Sequence, residues 1–298
     1  MFWAAFFNFI AFLFFGLYVA QTIGTGIIDP GVVNPNVIFA ALMGAISWNV
    51  ITWWAGIPSS SSHALIGGLL GAGIAKAGSA AIVWKGVLMT TGAILLSPMF
   101  GFLLALALVL AVSWIFVRKT PLAVDRTFRV LQFGSASLYS LGHGGNDAQK
   151  TMGIIAGLLF AQGHLGEQFY VPFWVVLSCQ AAMALGTLFG GWRIVRTMGS
   201  KITRLTPMQG FCAETGGATT LFLATWLGIP VSTTHTITGA IVGVGAARRI
   251  SAVRWNVASL CPVLGRAELS SRYGAMIVTM PAAALVAALF YMFTTLVG

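Results

Sequence analysis

The chain has 298 residues, of which 58% are hydrophobic and only 7% are charged. A soluble globular domain carries about 25% charged residues, so this composition excludes an ordinary soluble protein and indicates a multi-pass membrane protein surrounded by lipid. We expect it to be all-α and to lie in the cell (inner) membrane. The net charge of +10 does not predict a nucleic-acid partner, because the Lys and Arg residues mostly lie in short loops between apolar segments, as in cytoplasmic loops of membrane proteins.

Residues 1–117 are predicted to form the first half of the bundle. Its apolar segments are a span Trp3–Ala20, a span Val37–Ala55, a short Gly-rich run that ends near Lys76, a short piece Trp84–Leu96 and a span Met99–Val117. Ser97 and Pro98 are expected to stop the short piece before the last span begins. Met99–Val117 has no charge, and its nineteen residues suffice for a hydrocarbon core of about 30 Å.

A basic cytoplasmic loop, 118–129, is predicted to lead into the second half, 130–298. The apolar segments there are Val130–Leu141, Thr151–Ala161, Val171–Gly191, Met208–Leu227, a short run to Ala247 and a last span Ala275–Leu296. Between the first two of these, GHGGNDAQK (142–150) is predicted to interrupt a helix.

The distribution of basic residues predicts the orientation of the spans. The loops at 20–36 and 163–170 contain no Lys or Arg, whereas those at 118–129 and 193–204 contain four each. The positive-inside rule puts the basic loops, together with 248–254, in the cytoplasm. Trp3–Ala20 then runs outward and Val171–Gly191 runs inward.

An internal repeat relates the two halves. GIPSSSSHALIGG (56–68) aligns without a gap to GIPVSTTHTITGA (228–240), an offset of 172 that also pairs 3–19 with 175–191. Repeated segments that run in opposite directions are typical of inverted-topology repeats, which bind substrates on broken helices near the membrane midplane. The first-half partner of 142–150 would precede Met1, and about twelve residues within 257–273 have no counterpart in the first half.

The two hydroxyl clusters are the first candidate site. Their members are Ser59, Ser60, Ser61, Ser62, Ser232, Thr233 and Thr234. Each cluster follows Gly-Ile-Pro and is predicted to start a helix at the tip of a re-entrant hairpin, where free N–H groups and the helix dipole attract an oxyanion. Hydroxyl groups also pack helices together in lipid, but their repetition in two related hairpins favours an anion site.

Asp147 is the second candidate, because an ionisable residue inside a membrane is costly and is usually functional. We expect the neighbouring glycines to unwind the helix, so that Asn146 and Asp147 supply oxygen atoms to Na⁺, or Asp147 carries a proton. A structural ion pair between Asp147 and Lys150 is the alternative, and an attraction of Lys150 for an anion is another.

The remaining polar residues admit several roles. Glu214 is a candidate cation ligand or proton carrier, or else a partner for a cytoplasmic arginine. His63 and His235 occupy equivalent repeat positions, and a capping or hinge role is favoured over metal binding because the sequence supplies no further ligands at helical spacing. A hydrolase triad of Ser60, His63 and Asp147 is disfavoured, because both halves carry the hydroxyl-His pattern but only one acid is present, and no GxSxG motif occurs.

These motifs resemble the inorganic phosphate transporter (PiT) family. The resemblance rests on GHGGNDAQKTMGIIAGLL and on the two Gly-Ile-Pro segments, and it covers nearly all of residues 1–256 and the final span. It implies a symporter that imports phosphate with Na⁺ or H⁺, without a cofactor and not an enzyme. It further implies that Asn146 and Asp147 hold the coupling ion and phosphate, and that the hydroxyl clusters line the phosphate site.

Three points stay open. The family carries Gly-x-Asn-Asp in each half, and the first copy would precede Met1, so a truncated, non-transporting protein is one alternative. A transporter of another tetrahedral anion such as sulfate is a second. A homodimer is compatible with this kind of fold.

Overall fold

A computed structural model describes residues 1–55, 59–190, 203–247 and 275–297. The described residues are almost entirely helical, and their one β-type pairing is an isolated bridge between Ile28 and Ile82. The predictions for most of the basic loop at 193–204, for 248–254 and for 257–273, and the first Gly-Ile-Pro at 56–58, lie outside the described residues.

The first half contributes five of the helices. They are α1 (Phe2–Ile10), α2 (Tyr18–Gly26), α3 (Pro35–Ala55), α4 (Ser61–Ala77) and α5 (Trp84–Ile115), with short 3₁₀ turns at Ala11–Leu13 and Gly78–Ala81. The main hydrophobic core lies among α2, α3, α4 and α5, with fully buried side chains such as Ile27, Val37 and Ile66.

The second half contributes the other described helices. They are α6 (Pro121–Ala161), α7 (Phe173–Phe189), α8 (Pro207–Trp226), α9 (Thr233–Ala246) and α10 (Ala275–Val297). The α8–α9 pair is the second-half equivalent of the α3–α4 hairpin, and a smaller core lies between α5, α8 and α9, around Val109, Cys212 and Val244.

The predicted single span Trp3–Ala20 is wrong, because the chain breaks within it. The segments Phe2–Leu13 and Tyr18–Gly26 meet at an angle of 77°. The break falls around Gly16, where Phe14 and Phe15 keep the sequence apolar, so hydropathy does not reveal it. The side chain of Gln149 on α6 satisfies backbone groups that the break releases.

The predicted interruption at 142–150 is also wrong. Helix α6 runs without a break through the motif. The glycines permit close packing instead: a Cβ on Gly144 would overlap the backbone of Asn8, and one on Gly145 would overlap the ring of Phe15. The break in the helix therefore lies not in α6 but in the α1–α2 segment that packs on it.

Ser97 and Pro98 do not end a helix, contrary to expectation. Helix α5 includes both residues and is 32 residues long in total. A proline removes one backbone hydrogen bond from a helix, and membrane helices tolerate that loss when neighbouring helices pack closely around it. Here α9 supplies the packing, since a Cβ on Gly239 would overlap the carbonyl of Pro98.

Several helices are long and apolar enough to cross a membrane. Among the described residues these are Pro35–Ala55, Ser61–Ala81, Trp84–Ile115 and Val278–Leu296, with the bent α1–α2 pair as a fifth if it counts as one span. Helix α7 is shorter, and α8, which was predicted as a span, does not belong to this set. Because both arms of the first hairpin have the length of a span, the re-entrant form of the hairpins stays a prediction.

The two halves exchange their last helices. Helix α10 packs against α3 and α4 of the first half, whereas α5 packs against α8 and α9 of the second half. Equivalent glycines mediate both contacts: Gly71 lies against Ala284 of α10, and Gly243 lies against Phe102 of α5. This reciprocal packing is consistent with two inverted repeats.

Candidate functional site

The two hydroxyl clusters cap helices α4 and α9 in the same way. The hydroxyl oxygen of Ser60 accepts a hydrogen bond from the backbone N–H of His63 at 3.2 Å. The hydroxyl oxygen of Ser232 accepts one from the backbone N–H of His235, also at 3.2 Å. The predicted capping by serine is therefore confirmed at equivalent positions of both hairpins.

The hairpin tips face each other. The rings of His63 and His235 are buried and meet edge to face, with their centroids 4.5 Å apart. Within the described part of the chain, neither Nε2 atom has a hydrogen-bond partner. The sequence predicts a capping or hinge role for each histidine, and the structure adds that the two form one contact between the repeats.

Asp147 and Lys150 lie one turn apart on α6, beside these tips. Lys150 Nζ donates to Asp147 Oδ1 at 2.5 Å, and the Lys150 side chain is only 3% exposed. The second carboxylate oxygen, Oδ2, accepts from the hydroxyl of Thr233 at 3.0 Å. The ion pair that sequence reasoning left as an alternative is thus present, and it includes a residue of the second hydroxyl cluster.

The Lys150 ammonium also reaches both hairpins. It donates to the hydroxyl oxygen of Ser62 at 2.5 Å and to the carbonyl oxygen of Val231 at 2.6 Å. Ser62 in turn donates to the same Val231 carbonyl at 3.2 Å. The pair on α6 therefore connects the start of α4 with the segment that precedes α9.

Asn146 binds the second hairpin rather than projecting free oxygen atoms. Its amide nitrogen donates to the hydroxyl of Thr225 at 3.0 Å and to the carbonyl of Ile229 at 3.3 Å. Its amide oxygen accepts from the backbone N–H of Val231 at 3.3 Å. A role of Asn146 as an ion or phosphate ligand stays a prediction, and only a phosphate bound at its amide nitrogen requires one of these bonds to open.

His143 completes the surroundings of Asp147. Its Nε2 atom lies 3.3 Å from Asp147 Oδ2, and its Nδ1 atom lies 3.3 Å from the amide oxygen of Asn8. The hydroxyl of Tyr139 donates to the carbonyl of Thr233 at 3.1 Å, and the Tyr139 ring is parallel to that of His143. These contacts link α6, α1 and α9 around one carboxylate.

Other predicted residues lie apart from this cluster. The hydroxyl of Ser59 pairs with that of Thr52 at 2.8 Å, Ser61 is exposed, and Thr234 accepts from the Thr238 hydroxyl through its backbone carbonyl. Glu214 accepts from the hydroxyl of Ser135 at 2.5 Å. Ser135 precedes Asp147 by twelve helical positions, about 18 Å along α6, so Glu214 does not share the site of Asp147.

The hydrolase triad is not assembled. The Ser60 oxygen is occupied by a backbone N–H group, the His63 ring contacts His235, and Asp147 binds Lys150. No nucleophile, base and acid are thus aligned among these three residues.

Gln149 is a structural residue that sequence reasoning missed. Its amide oxygen accepts from the backbone N–H groups of Val19 and Ala20 at 3.0 and 3.2 Å, and its amide nitrogen donates to the carbonyl of Gly16 at 2.9 Å. Gln149 therefore satisfies the backbone groups at the break between α1 and α2. Its polar side chain within an apolar region was the available signal.

An open cleft of about 440 Å³ lies near the second hairpin. It is bounded by α2, by the start of α5 with Lys85, and by the turn at Gly228. The hydroxyl of Thr22 donates to the carbonyl of Gly228 at 2.7 Å on its wall. The residues that line this cleft do not include Asp147 or Lys150.

Comparisons with known proteins agree with this architecture. The sequence profile of the phosphate transporter family matches residues 1–287. A protein of Rhizobium meliloti (strain 1021) with the name "Probable low-affinity inorganic phosphate transporter" is 74% identical over 298 residues, which are 100% of this chain and 86% of that protein. A Bacillus subtilis (strain 168) protein of the same name is 45% identical over 258 residues, 86% of this chain and 77% of its own.

A solved structure has the same fold. It is named "The sodium-dependent phosphate transporter", and it superposes with a TM-score of 0.85 over 99% of this chain and 89% of its own, at 25% identity. The agreement over nearly the whole chain confirms the all-helical membrane fold.

Proposed function

Because the chain belongs to the phosphate transporter family, we propose that it is a secondary active transporter that imports inorganic phosphate together with a cation, Na⁺ or H⁺. The observation that supports this most is the Asp147–Lys150 pair, a buried carboxylate and ammonium at the point where α6 meets the tips of both hairpins. The names of the relatives and of the solved structure support phosphate as the substrate.

The physical argument starts from the cost of moving a polyanion into a site with little water. Phosphate loses its hydration there and needs charge and hydrogen-bond donors in return. The N-termini of α4 and α9 supply partial positive charge and N–H groups beside the pair. Ser62 and Thr233 supply the hydroxyls that lie closest to it.

Among the candidate phosphate ligands, the structure suggests a division of roles. Ser60 and Ser232 cap their helices, and Ser62 and Thr233 are the cluster members bound to the Asp147–Lys150 pair. Ser59, Ser61, Thr234 and Asn146 remain proposed ligands that need a local rearrangement. Coupling follows if the hairpins close favourably only when anion and cation are both bound.

Uptake of labelled phosphate into proteoliposomes tests this proposal. We expect uptake that responds to an imposed Na⁺ or pH gradient, and we expect Asp147→Asn to abolish that response. Asp125→Asn is the matched control, because Asp125 lies on the same helix in an exposed ion pair with Arg129. If uptake by Asp147→Asn equals that of the unmodified protein, Asp147 does not couple the cation.

Sulfate competition tests the substrate, because hydroxyls and helix N-termini do not by themselves distinguish tetrahedral oxyanions. We expect excess sulfate to leave phosphate uptake unchanged. Uptake of labelled sulfate at the same rate would identify a broader oxyanion transporter, and the lack of any uptake would identify a non-transporting membrane protein.

A further inference from the structure

The Lys150 ammonium has the surroundings of a bound metal cation. Its nitrogen lies 2.5 Å from a carboxylate oxygen of Asp147, 2.5 Å from the hydroxyl oxygen of Ser62 and 2.6 Å from the carbonyl oxygen of Val231. The three oxygen atoms belong to α6, to the start of α4 and to the segment before α9. One positive charge thus holds three separate segments of the bundle.

The chemistry of the group accounts for this arrangement. A lysine ammonium is a compact point charge with three N–H donors and no acceptor, and each of the three donors has an acceptor here. Carboxylate, hydroxyl and backbone carbonyl oxygens are also the ligands that a small hard cation takes. Both cations would compete for the same oxygen atoms, and they cannot occupy the position together.

The ammonium has an advantage over free Na⁺ in the competition for these oxygen atoms, because it is covalently attached to the same helix as Asp147. Lys150 follows Asp147 by three positions on an uninterrupted helix, so its side chain is held beside the carboxylate at all times. A tethered group has an effective concentration in the millimolar range or higher. The distance of 2.5 Å between Lys150 Nζ and Asp147 Oδ1 also leaves no room for water between the two charges.

We propose that the Lys150 ammonium is a built-in cation, which occupies the position beside Asp147 that a free sodium ion would otherwise take. Asp147 then binds no Na⁺ while Lys150 is in place. For transport, which rests on the proposed function, this limits the coupling role of Asp147 to H⁺. The sodium dependence in the name of the solved relative therefore does not extend to this carboxylate.

Removal of the ammonium should create a sodium site. The melting temperature of the purified full chain is measured in NaCl and in choline chloride at equal ionic strength. We expect the unmodified protein to melt at the same temperature in both salts. Lys150→Ala should melt higher in NaCl by roughly 2 °C or more, with saturation as the Na⁺ concentration rises.

Matched variants make the result specific. Lys76→Ala removes another lysine that donates to a backbone carbonyl, that of Val32, and it should behave as the unmodified protein does. Lys150→Gln is the second variant in case the smaller side chain prevents folding. The double variant Asp147→Asn with Lys150→Met removes both charges, and it should fold and show no response to Na⁺.

Two results would overturn the proposal. One is a higher melting temperature of the unmodified protein in NaCl than in choline chloride. The other is the absence of a Na⁺ response in folded Lys150→Ala or Lys150→Gln. If these variants also lose stabilisation by inorganic phosphate, Lys150 is an anion ligand instead.

A measurement of phosphate uptake distinguishes a failure of this proposal from a failure of the proposed function. When a pH gradient is the imposed driving force, replacement of Na⁺ by choline should leave phosphate uptake by the unmodified protein unchanged. If the unmodified protein takes up no phosphate under any gradient, the proposed function fails, and the melting experiment still decides whether Lys150 occupies a cation position.

Discussion

Individual polar side chains join segments of this bundle that are far apart in sequence. Asn146 connects α6 to the second hairpin, and Gln149 connects α6 to the break between α1 and α2. Each uses donors and acceptors of its amide together, so that buried backbone groups outside regular helices are satisfied. In lipid this matters more than in water, because no solvent replaces a lost partner.

A substitution of Gln149 tests whether a single polar side chain stabilises the fold in this way. Gln149→Ala would leave the buried N–H groups of Val19 and Ala20 without partners, at a cost of about 1–3 kcal/mol for each buried group. We expect a loss of roughly 2–6 kcal/mol in the free energy of unfolding, measured by denaturation of the purified chain. Gln21→Ala, at an exposed position of α2, should change it little. Equal stability of both variants would contradict the role given to Gln149.

The His63–His235 contact leads to a second residue-scale prediction. A pair of aromatic rings in edge-to-face contact contributes about 0.5–1.5 kcal/mol beyond burial. A double-mutant cycle with His63→Ala and His235→Ala should therefore show a coupling energy of about 1 kcal/mol in the free energy of unfolding. Additive effects of the two substitutions would mean that the hairpin tips do not support each other.

At the scale of elements, glycines set how closely the exchanged helices approach. A Cβ on Gly71 would overlap the carbonyl of Ala284, and a Cβ on Gly243 would overlap that of Phe102. Both positions lie in the second arm of a hairpin, and both contacts are made with the last helix of the opposite half. A glycine therefore allows close packing of α4 against α10 and of α9 against α5.

Gly71→Ala and Gly243→Ala should each destabilise the protein by about 1–3 kcal/mol, since the added methyl group forces packed backbones apart. Gly92→Ala is the control, because a Cβ at that position of α5 has no neighbour within 4 Å. It should be neutral or stabilising by up to about 1 kcal/mol through helix propensity. Melting temperatures of the three variants check this, and a loss in Gly92→Ala equal to the other two would contradict it.

The sequence predicted the hairpins and their caps but misplaced the broken helix. Gly-Ile-Pro followed by hydroxyls is a local signal for a helix start, and it was correct for Ser60 and Ser232. Glycines in GHGGNDAQK are compatible with unwinding or with close packing, and only the position of Asn8 and Phe15 decides between them. Backbone groups at the break near Gly16 have their partner in Gln149, more than a hundred residues away, so no local pattern shows how the break is stabilised.

The sequence predicted residue types of the polar cluster but not its bonds. Asp147 in an apolar region and the repeated hydroxyl clusters were the candidates, and the structure brings Asp147, Ser62 and Thr233 together, whereas their role in binding stays a prediction. The contact of Lys150 with Ser62 and Val231 depends on how two hairpins pack on α6, which the sequence does not specify. Glu214 has the same residue type as a site carboxylate, yet its place on α8 pairs it with Ser135.

On the scale of the whole molecule, the exchange of α5 and α10 makes the two halves interdependent. Helix α5 buries Val109 and Ala105 against α8 and α9, whereas α10 buries Ala283 and Ala287 against the first hairpin. Each half alone would expose these packed faces and the glycine contacts at Gly71 and Gly243. The polar cluster also requires both halves, because Lys150 donates hydrogen bonds to residues of both.

A split of the chain in the connection before Pro121 tests this interdependence. Residues 1–119 and 120–298 are expressed separately or together, with an affinity tag on one piece. We expect co-expressed pieces to purify as a complex at roughly equal amounts, because α5 and α10 each find their partners in the other piece. Neither piece alone should give a monodisperse, cooperatively melting protein. A stable, independently folded first piece would show that the exchanged helices do not join the halves.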